Sequence, residues 1–414
     1  MKKHQQPPMN PSEQFCPNQM CLARGKRGEG NIRIPDRRRE RYRCRSCGHT
    51  FSAHRGTMLE GLRKPSELIV IVVTLLAYGC PLQAIVHTYG LDERTVASWR
   101  DRAGSHCQRV HHSIIEQGKL DLVHVQADEL RVKGCSFIAW MGFSMMVSTR
   151  LWLGGVVSPI RNTALANQMM AQVRACSQAV CALLICTDGW AAYPNSIKRA
   201  FREKVKETAG RGRACLHVWS ELHIGTVIKH SVKKRVTEIT RQMSHGSWEQ
   251  AERLMKQSRG GTVLNTAYIE RLNGTMRERL AALTRKCRHA AHRLEGLQTG
   301  MYLIGCTYNF CWAHHELNRG TDPLQGEWQV CTPAMASGLT DHVWSIVELL
   351  SYRIAPPAWV EPKRRGRPRT RPIPDLTKPK RPRGRPRTRP VSKLLVPKRP
   401  RGRPRKLTLS SFTS

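Results

Sequence analysis

Residues 119–320 alternate strand-like apolar runs with helix-like stretches, and this alternation constrains the fold more than any other feature of the chain. Residues 120–127 form one run rich in apolar and β-branched side chains, and residues 182–186 form another. Residues 137–157 are apolar but interrupted by Arg150 and by several Gly and Ser residues, which predicts two strands joined by a turn. Strands that alternate with helices are typical of an α/β domain.

The charge of the chain indicates a polyanionic partner. Among 414 residues, 69 Lys and Arg face 30 Asp and Glu, a formal net charge of +39. Residues 361–414 hold 20 of the basic residues against Glu361 and Asp375, a local net charge of +18, so the other 360 residues still carry +21. Nucleic acid is the first candidate for a partner of such a protein.

Residues 361–414 are dominated by Pro, Arg, Gly and Lys and have almost no apolar content, which predicts disorder. An Arg-Gly-Arg-Pro core recurs there every 18 residues, and each copy resembles an AT-hook. AT-hooks lay an arginine-rich core in the narrow minor groove of A·T-rich DNA, whose negative potential attracts Arg. A solvated basic tail is the alternative. The resemblance assigns the DNA contacts to Arg365, Arg367, Arg383, Arg385, Arg401 and Arg403.

Four of the fifteen cysteines form two close pairs, Cys16 with Cys21 and Cys44 with Cys47. The 22 intervening residues are enough for a hairpin, and four thiolates that converge tetrahedrally are what a structural Zn²⁺ site requires. Chance clustering of buried cysteines is the alternative. The odd number and scattered placement of the other cysteines favour a reducing compartment over a disulfide framework.

Residues 61–118 carry the signals of a helix-turn-helix. We predict a first helix capped by Ser66 and closed by Gly79, a second over residues 82–89, and a third over residues 93–103 that Asp92 caps. Short helices around a glycine turn are typical of a recognition helix presented to a major groove. A plain helical linker is the alternative. The third helix carries Arg94, Thr95, Ser98, Trp99 and Arg100.

Three carboxylates stand where metal ligands are expected. Asp128 follows the first apolar run, Asp188 ends the second, and Glu270 opens a basic helix predicted to run to about residue 288. Asn273 shares the helix face of Glu270. Two Mg²⁺ or Mn²⁺ ions about 4 Å apart activate the attacking oxygen and stabilise the leaving one in phosphodiester chemistry, and both prefer oxygen ligands. Each carboxylate alone is better explained as a turn or cap residue, and it is the combination of the three that favours a metal site.

Two acidic residues compete with Asp128 for the first position. Glu129 is its neighbour, and on an extended strand the two side chains point to opposite faces, so we expect only one to reach the metals. Asp121 lies at the start of the run and is a weaker candidate. Three histidines are too widely spaced for a metal set and are expected to be solvated or to face phosphate: His217, His223 and His230.

Three motifs resemble bacterial insertion-element transposases of the first-described insertion-sequence family. Arg41-Tyr42-Arg43-Cys44-Arg45-Ser46-Cys47-Gly48 with Phe51-Ser52 resembles their zinc-ribbon opening. Thr187-Asp188-Gly189-Trp190 through Tyr193 is similar to their second catalytic segment. The similarity to their third catalytic segment lies in Ile269-Glu270-Arg271-Leu272-Asn273 with Leu280, Leu283, Arg285 and Lys286. Weaker similarity continues through residues 302–305 and 308–309, so that the motifs span most of residues 15–315.

The resemblance implies a ribonuclease-H-like domain with a DDE triad of Asp128, Asp188 and Glu270, and Asn273 as an accessory. It also implies a zinc ribbon and a helix-turn-helix ahead of that domain. The interval between Asp188 and Glu270 is longer than in the family, which predicts an inserted subdomain over about residues 195–265. Within it, residues 229–243 and 248–256 are expected to be helical.

The predicted fold is therefore α/β, a ribonuclease-H-like core behind two DNA-binding modules and ahead of a disordered tail. The predicted regions are a zinc ribbon (1–60), a helix-turn-helix (61–118), the catalytic domain (119–320), a helical extension (321–360) and the hook tail (361–414). Residues 1–11 are polar and residues 68–77 are too short to span a bilayer, so we expect no membrane association and a cytoplasmic, nucleoid-associated protein.

The predicted activity is DNA transposition, in which the element's end is cleaved and then joined to target DNA. Partners would be double-stranded DNA and further copies of the chain, because transposases pair two ends. A non-catalytic DNA-binding regulator derived from a transposase is the alternative, and a nuclease that cuts without joining is a second one. Phosphate contacts are assigned to Arg277, Arg279, Arg285 and Lys286 on the helix that Glu270 opens, and ordinary solvated helix charges are the equal alternative.

Overall fold

A computed structural model describes residues 10–178, 181–205, 214–233, 235–284, 290–320, 328–357 and 359–360. The described residues up to Trp359 belong to one compact unit. The predicted disordered tail with its hook arginines lies outside the described residues, and so do Arg285 and Lys286.

The described residues form more helix than strand, with a mixed sheet among them, which makes the protein a mixed α/β protein. The helices are α1 (Ser66–Ala77), α2 (Leu82–Tyr89), α3 (Glu93–His111), α4 (Thr163–Cys176), α5 (Ala192–Ala200), α6 (Trp248–Gln257), α7 (Ala267–Arg279), α8 (Leu294–Phe310), α9 (Pro333–Ala336) and α10 (Ile346–Ser351). The strands are β1 (Ile32–Asp36), β2 (Arg41–Cys44), β3 (Thr50–Ser52), β4 (His124–Lys133), β5 (Ile138–Met146), β6 (Trp152–Ser158), β7 (Leu183–Asp188), β8 (Arg202–Val205), β9 (Cys215–Val218), β10 (Leu222–Val232), β11 (Arg235–His245), β12 (Arg319–Gly320) and β13 (Trp328–Gln329).

The largest sheet is mixed and has six strands, in the order β11-β10-β7-β4-β5-β6. Strands β4, β5 and β6 pair antiparallel, whereas β7 pairs parallel with β4 and β10 pairs parallel with β7. Strand β11 closes the other edge as the antiparallel partner of β10. Helices α4, α7 and α8 pack on the β4–β6 side of the sheet, and α6 packs against β7 and β10.

The N-terminal sheet is small, antiparallel and built around cysteines. Strands β1, β2 and β3 pair in that order, and their inward side chains are Ile32, Tyr42 and Phe51. These three pack with buried cysteines in a separate apolar cluster. So small a core buries little apolar surface, which explains why such a sheet benefits from a bound metal.

Helices α1 to α3 lie where the sequence predicts them, with one extension and one wrong cap, since the N-cap of α1 is Pro65 and Ser66 is its first helical residue. The Asp92 side chain accepts hydrogen bonds from the backbone N–H groups of Arg94 and Thr95 at 2.9 and 3.2 Å, as expected of an N-cap. Helix α3 continues to His111, past the predicted end at residue 103, because its buried face packs along α8. Trp99 belongs to that buried face.

Two predicted boundaries around the carboxylates are also wrong. The first strand is His124–Lys133 rather than residues 120–127, so Asp128 lies in its middle and not at its end. The reason is a left-handed backbone at Val123 (φ 52°), which separates the earlier apolar residues from the extended strand. Helix α7 ends at Arg279 rather than near residue 288, because the backbone turns extended at Leu280, whose side chain is buried.

The inserted segment is mostly β-structure. Residues 229–243, expected to be helical, form most of the β10–β11 hairpin instead. Their β-branched residues, such as Val232, Val236 and Ile239, favour extended backbone over helix. The second expected helix is present as α6, Trp248–Gln257. Among the helices in the described residues, none is both long and apolar enough to cross a membrane.

Helices α3 and α8 approach each other so closely that only a glycine fits at Gly104. A Cβ there would lie 2.0 Å from the backbone oxygen of Thr299, whereas a Cβ on Gly274 of α7 would meet open space. We expect Gly104→Ala to lower the free energy of unfolding by about 1–3 kcal/mol, because two helix backbones must move apart. Gly274→Ala is the matched control and should be neutral or stabilising by up to about 1 kcal/mol. Urea denaturation of both variants measures the difference, and equal stabilities would contradict the close packing.

Candidate metal centres

Parallel pairing of β4 with β7 brings two of the predicted carboxylates side by side. Ala127 is in register with Thr187, so the next residues along the two strands are Asp128 and Asp188. Neighbouring strands lie about 4.8 Å apart, which is the distance over which two carboxylates share a cation. The local sequence therefore contributes the side chains, and the strand register sets their spacing.

Glu129 joins these two aspartates. One oxygen from each of Asp128, Glu129 and Asp188 lies within 4.8 Å of the others, and together the three residues are the carboxylate cluster. The expectation that only one of Asp128 and Glu129 reaches this point is not met. The longer Glu129 side chain reaches the shared position, where the Arg161 guanidinium contacts both Glu129 and Asp188.

Arg161 and Tyr193 hold Glu129 in place. The Arg161 Nε donates a 2.6 Å hydrogen bond to Glu129 Oε1, and the Tyr193 hydroxyl donates one of 2.5 Å to Oε2. The guanidinium also lies over the Trp190 ring, 4.5 Å from its centroid. Sequence reasoning missed both partners of Glu129. Tyr193 belongs to a recognised motif without an assigned role, and Arg161 stands in a turn with no local signal of its own.

Asp128 is the most perturbed member of the cluster. Burial and the negative charges of Glu129, Asp188 and Glu270 raise the pKa of Asp128 to about 6, although the backbone N–H of Glu129 opposes the shift. Asn273 Nδ2 donates a 2.7 Å hydrogen bond to Asp128 Oδ2. Asn273 is buried, and among the described residues its Oδ1 has no hydrogen-bond partner.

Glu270 lies beside the cluster and outside it. Its carboxylate accepts a 2.6 Å hydrogen bond from Thr266 Oγ1 and forms an ion pair with Lys229. Nearly half of its side chain is exposed. The structure thus brings Asp128, Asp188 and Asn273 together, adds Glu129, and places Glu270 close enough for its charge to act on Asp128.

The donor chemistry of the carboxylate cluster fits a hard divalent cation. Its atoms are oxygens only, they carry like charges in close proximity, and a buried amide oxygen of Asn273 stands next to them. Mg²⁺ and Mn²⁺ bind such sets, and a cation offsets the burial and the charge repulsion that otherwise raise the pKa of Asp128. The cluster could therefore bind a metal.

The four paired cysteines form a second candidate metal centre. The Sγ atoms of Cys16 and Cys47 are 3.5 Å apart, and those of Cys21 and Cys44 are 3.9 Å apart. A tetrahedral site with Zn–S bonds of about 2.3 Å requires sulfur–sulfur distances of ~3.8 Å. All four sulfurs lie within 4.8 Å of one another. The geometry is compatible with a zinc site.

The turn after β2 positions half of this centre. Gly48 adopts a left-handed backbone (φ 70°), and its N–H donates a 3.0 Å hydrogen bond to the carbonyl of Cys44. Burial opposes ionisation of Cys47, but hydrogen bonds from the His49 backbone, Asn18 and the neighbouring thiols lower its pKa to about 7. A thiol that ionises near neutral pH is a ready metal ligand.

The predicted DNA-contacting arginines of the described residues differ in their surroundings. Arg94 is exposed, whereas Arg100 donates hydrogen bonds of 2.8 and 3.0 Å to Asp101. Arg277 is half-buried. Arg279 lies between Tyr78 and Trp312, with its guanidinium 5.5 and 5.1 Å from the two ring centroids. Its assignment to DNA phosphates stays a prediction.

The three histidines of the inserted segment do not share one environment. His217 and His230 are exposed, as expected of solvated side chains. His223 is buried, and its Nδ1 accepts a 3.3 Å hydrogen bond from the backbone N–H of Ser247, so the expectation of a solvated His223 is wrong. It lies at the start of β10, where the strand enters the core of the sheet.

No protein-family model matches this chain, and no curated protein matches it either. What the structure shows is a mixed α/β protein with a mixed sheet, a four-cysteine cluster compatible with zinc, and an acidic cluster that could bind a metal.

Removing one cysteine ligand should remove a bound metal and weaken the N-terminal sheet. We expect Cys21→Ser to reduce zinc from one equivalent per chain to background, because three thiolates bind the metal far less tightly than four. Cys135→Ser is the matched control, since Cys135 is exposed and lies outside the cluster. Metal analysis of the purified proteins measures the content. Equal zinc in both variants would refute the assignment.

The ionised Asp128 carboxylate should lower the free energy of unfolding at neutral pH when no divalent cation is added. Its pKa in the folded protein, about 6, is above the ordinary value of 3.8, so the folded state binds more protons between these values. The contribution of the carboxyl group to stability therefore falls as the pH rises from about 4 to 6 and stays low above that. We expect Asp128→Asn to raise the free energy of unfolding at pH 7.5 by about 1–3 kcal/mol, and to have little effect near pH 4.

Urea denaturation across this pH range measures the effect of Asp128→Asn. The control is Asp121→Asn, because Asp121 is exposed, and changes at exposed sites stay within about 0.5 kcal/mol. If the free energies of unfolding of wild type and Asp128→Asn changed in parallel with pH, the raised pKa of Asp128 would be contradicted.

Proposed function

We propose that this protein is a DDE transposase, which cleaves DNA at the ends of an insertion element and joins the freed end to target DNA. The observation that carries the proposal is the carboxylate cluster of Asp128, Glu129 and Asp188 on two parallel strands. Helix α7 adds Asn273 to it and brings Glu270 to its edge.

The strand order supports a ribonuclease-H-like core. An antiparallel trio β6-β5-β4, continued by two parallel strands β7 and β10, is the arrangement that the resemblance to insertion-element transposases implies. The first aspartate stands on the central strand β4 and the second at the end of its parallel neighbour β7, as the proposed catalytic centre requires. The three-stranded cysteine sheet supports a zinc ribbon in the same way.

The residues of the centre have separable roles in this proposal. Asp128 and Asp188 would hold Mg²⁺ or Mn²⁺, and Glu270 would complete the oxygen shell. Bound metal would activate the attacking oxygen and stabilise the leaving one. Asn273 orients the Asp128 carboxylate through its 2.7 Å hydrogen bond. Arg161 and Tyr193 keep Glu129 fixed beside the two aspartates.

Two successive phosphoryl transfers make up the reaction. In the first, water attacks a phosphodiester at the element's end, and the bond to the 3′ oxygen breaks, so that a 3′-OH is released. In the second, that 3′-OH attacks a phosphodiester of target DNA, forms a new ester bond and displaces a target 3′-OH. Both steps place an attacking and a leaving oxygen in line across one phosphorus, and cations held by the same carboxylates would stabilise the charge on both oxygens.

DNA binding is assigned to the other modules. The zinc ribbon, the α1–α3 helix-turn-helix with exposed Arg94, and the hook repeats beyond the described residues would hold double-stranded DNA, A·T-rich sequence included. The protein would act as a homo-oligomer on paired ends in a cytoplasmic, nucleoid-associated location. The net charge of +39 supports these assignments to DNA.

The decisive variant is Asp188→Asn, which keeps the shape and removes the charge. We expect it to lower end cleavage and strand transfer with Mg²⁺ by at least about 100-fold, while DNA binding persists. Asp121→Asn, at an exposed carboxylate before β4, is the control and should retain activity. Gel analysis of labelled element ends and target plasmid measures both steps.

The outcomes separate the proposal from its rivals. A wild-type protein that binds DNA tightly and neither cuts nor joins it would be a regulator. Cleavage without joined product would indicate a nuclease. Full activity of Asp188→Asn would refute the assignment of the catalytic centre.

A further inference from the structure

The β10–β11 hairpin extends past the edge of the sheet where the carboxylates lie. Strand β7 ends at Asp188, which is in register with Val227 of β10. Beyond Val227, β10 continues to Val232 and pairs only with β11, through the register from Ile228↔Thr240 to Val232↔Arg235. Five residues at about 3.3 Å each give a projection of ~16 Å. We call residues 228–233 and 235–240 the arm.

The surface of the arm is both basic and aliphatic. Lys229, Lys233 and Arg235 are exposed, and Glu238 is the arm's one acidic residue. Two valines near the tip, Val232 and Val236, are 61% and 54% exposed. An isolated two-stranded ribbon is marginally stable in water. Aliphatic side chains displayed among cations on such a ribbon indicate a surface that a partner covers.

The base of the arm adjoins the proposed catalytic centre on two sides. Lys229 forms the ion pair with Glu270. Ile228 packs so closely on the turn after Asp188 that a Cβ on Gly189 would lie 3.0 Å from Ile228 Cγ1. A molecule whose reacting bond lies at the carboxylates therefore passes along the arm.

We propose that the arm is a DNA-binding ribbon that grips the duplex next to the bond being cut, an inference that rests on the proposed function. Its basic residues face phosphates, and a two-stranded ribbon fits a major groove about 12 Å wide. A second copy of the chain is a poorer partner, because each copy carries a net charge of +39 and would bring like charge against the arm. Lys233 and Arg235 contact phosphates, and Val232 and Val236 enter the groove.

Photo-crosslinking from the tip identifies what covers the arm. The full-length protein carries p-benzoylphenylalanine in place of Val236 or, as a control, of Val263, a valine of similar exposure (51%) in the loop before α7. With a mixed-sequence 40-base-pair duplex and no added Mg²⁺, we expect crosslinks to DNA from position 236 at least about fivefold above those from position 263. Crosslinks from position 236 to a second protein chain, or equal DNA crosslinking from both positions, would overturn the proposal.

Charge removal tests the phosphate contacts. Lys233→Ala with Arg235→Ala should lower the slope of log Kd against log salt by about 1.8, since each lost phosphate contact contributes about 0.9. The matched control is Arg253→Ala with Lys256→Ala, which removes two exposed cations from α6 in the same inserted segment. An unchanged slope in the arm variant, or equal changes in both, would refute these contacts.

These experiments distinguish a failure of the arm proposal from a failure of the proposed transposase function. Asp188→Asn should crosslink through position 236 as the wild type does, because the assay needs no catalysis. If position 236 crosslinks to DNA but the protein never cuts DNA, the DNA-binding role of the arm is supported and the transposase proposal is refuted. If the protein cuts and joins DNA but position 236 does not crosslink to DNA, the transposase proposal is supported and the role of the arm is refuted.

Discussion

Parallel pairing between β4 and β7 is the interaction on which the carboxylate cluster depends. The register that sets Ala127 opposite Thr187 places Asp128 and Asp188 at neighbouring positions, although 60 residues of chain separate them. Shifting a strand by one residue would send every side chain to the opposite face of the sheet. Buried runs on both strands hold this register, since any slip would force closely packed residues such as Val125 and Ile185 to repack.

Three like charges in so small a space are costly, and the surrounding residues offset the cost unequally. Arg161 and Tyr193 satisfy Glu129 almost completely, and Lys229 pairs with Glu270. Asp128 receives only the Asn273 amide and one backbone N–H, so burial raises its pKa to about 6. The negative charge of Asp128 is therefore the least compensated of the cluster, and it lies at the position where a cation would bind.

Sequence reasoning located the parts of the protein better than their geometry. The cysteine pairs, the three short helices and Asp188 at a strand end all follow from local signals, because capping, turn glycines and metal-ligand spacing act over a few residues. The basic segment after residue 228 was predicted helical and is a hairpin, because charge alone does not distinguish a solvated helix from an exposed ribbon. Arg161 was missed because its role depends on two strands, β4 and β7, that lie far from it and from each other in the sequence.

The sequence by itself determined that the chain combines a cysteine cluster, a mixed α/β region with acidic residues, and a strongly basic character. Tertiary structure alone decided which acidic residues meet: Glu129 stands with Asp128 and Asp188, and Glu270 stands at the rim with Lys229. The physical reason is that local propensity and periodicity act within an element, whereas distances between carboxylates are set by strand register and packing between elements. The projection of the arm beyond Asp188 has the same origin, since it follows from where β7 ends beside β10.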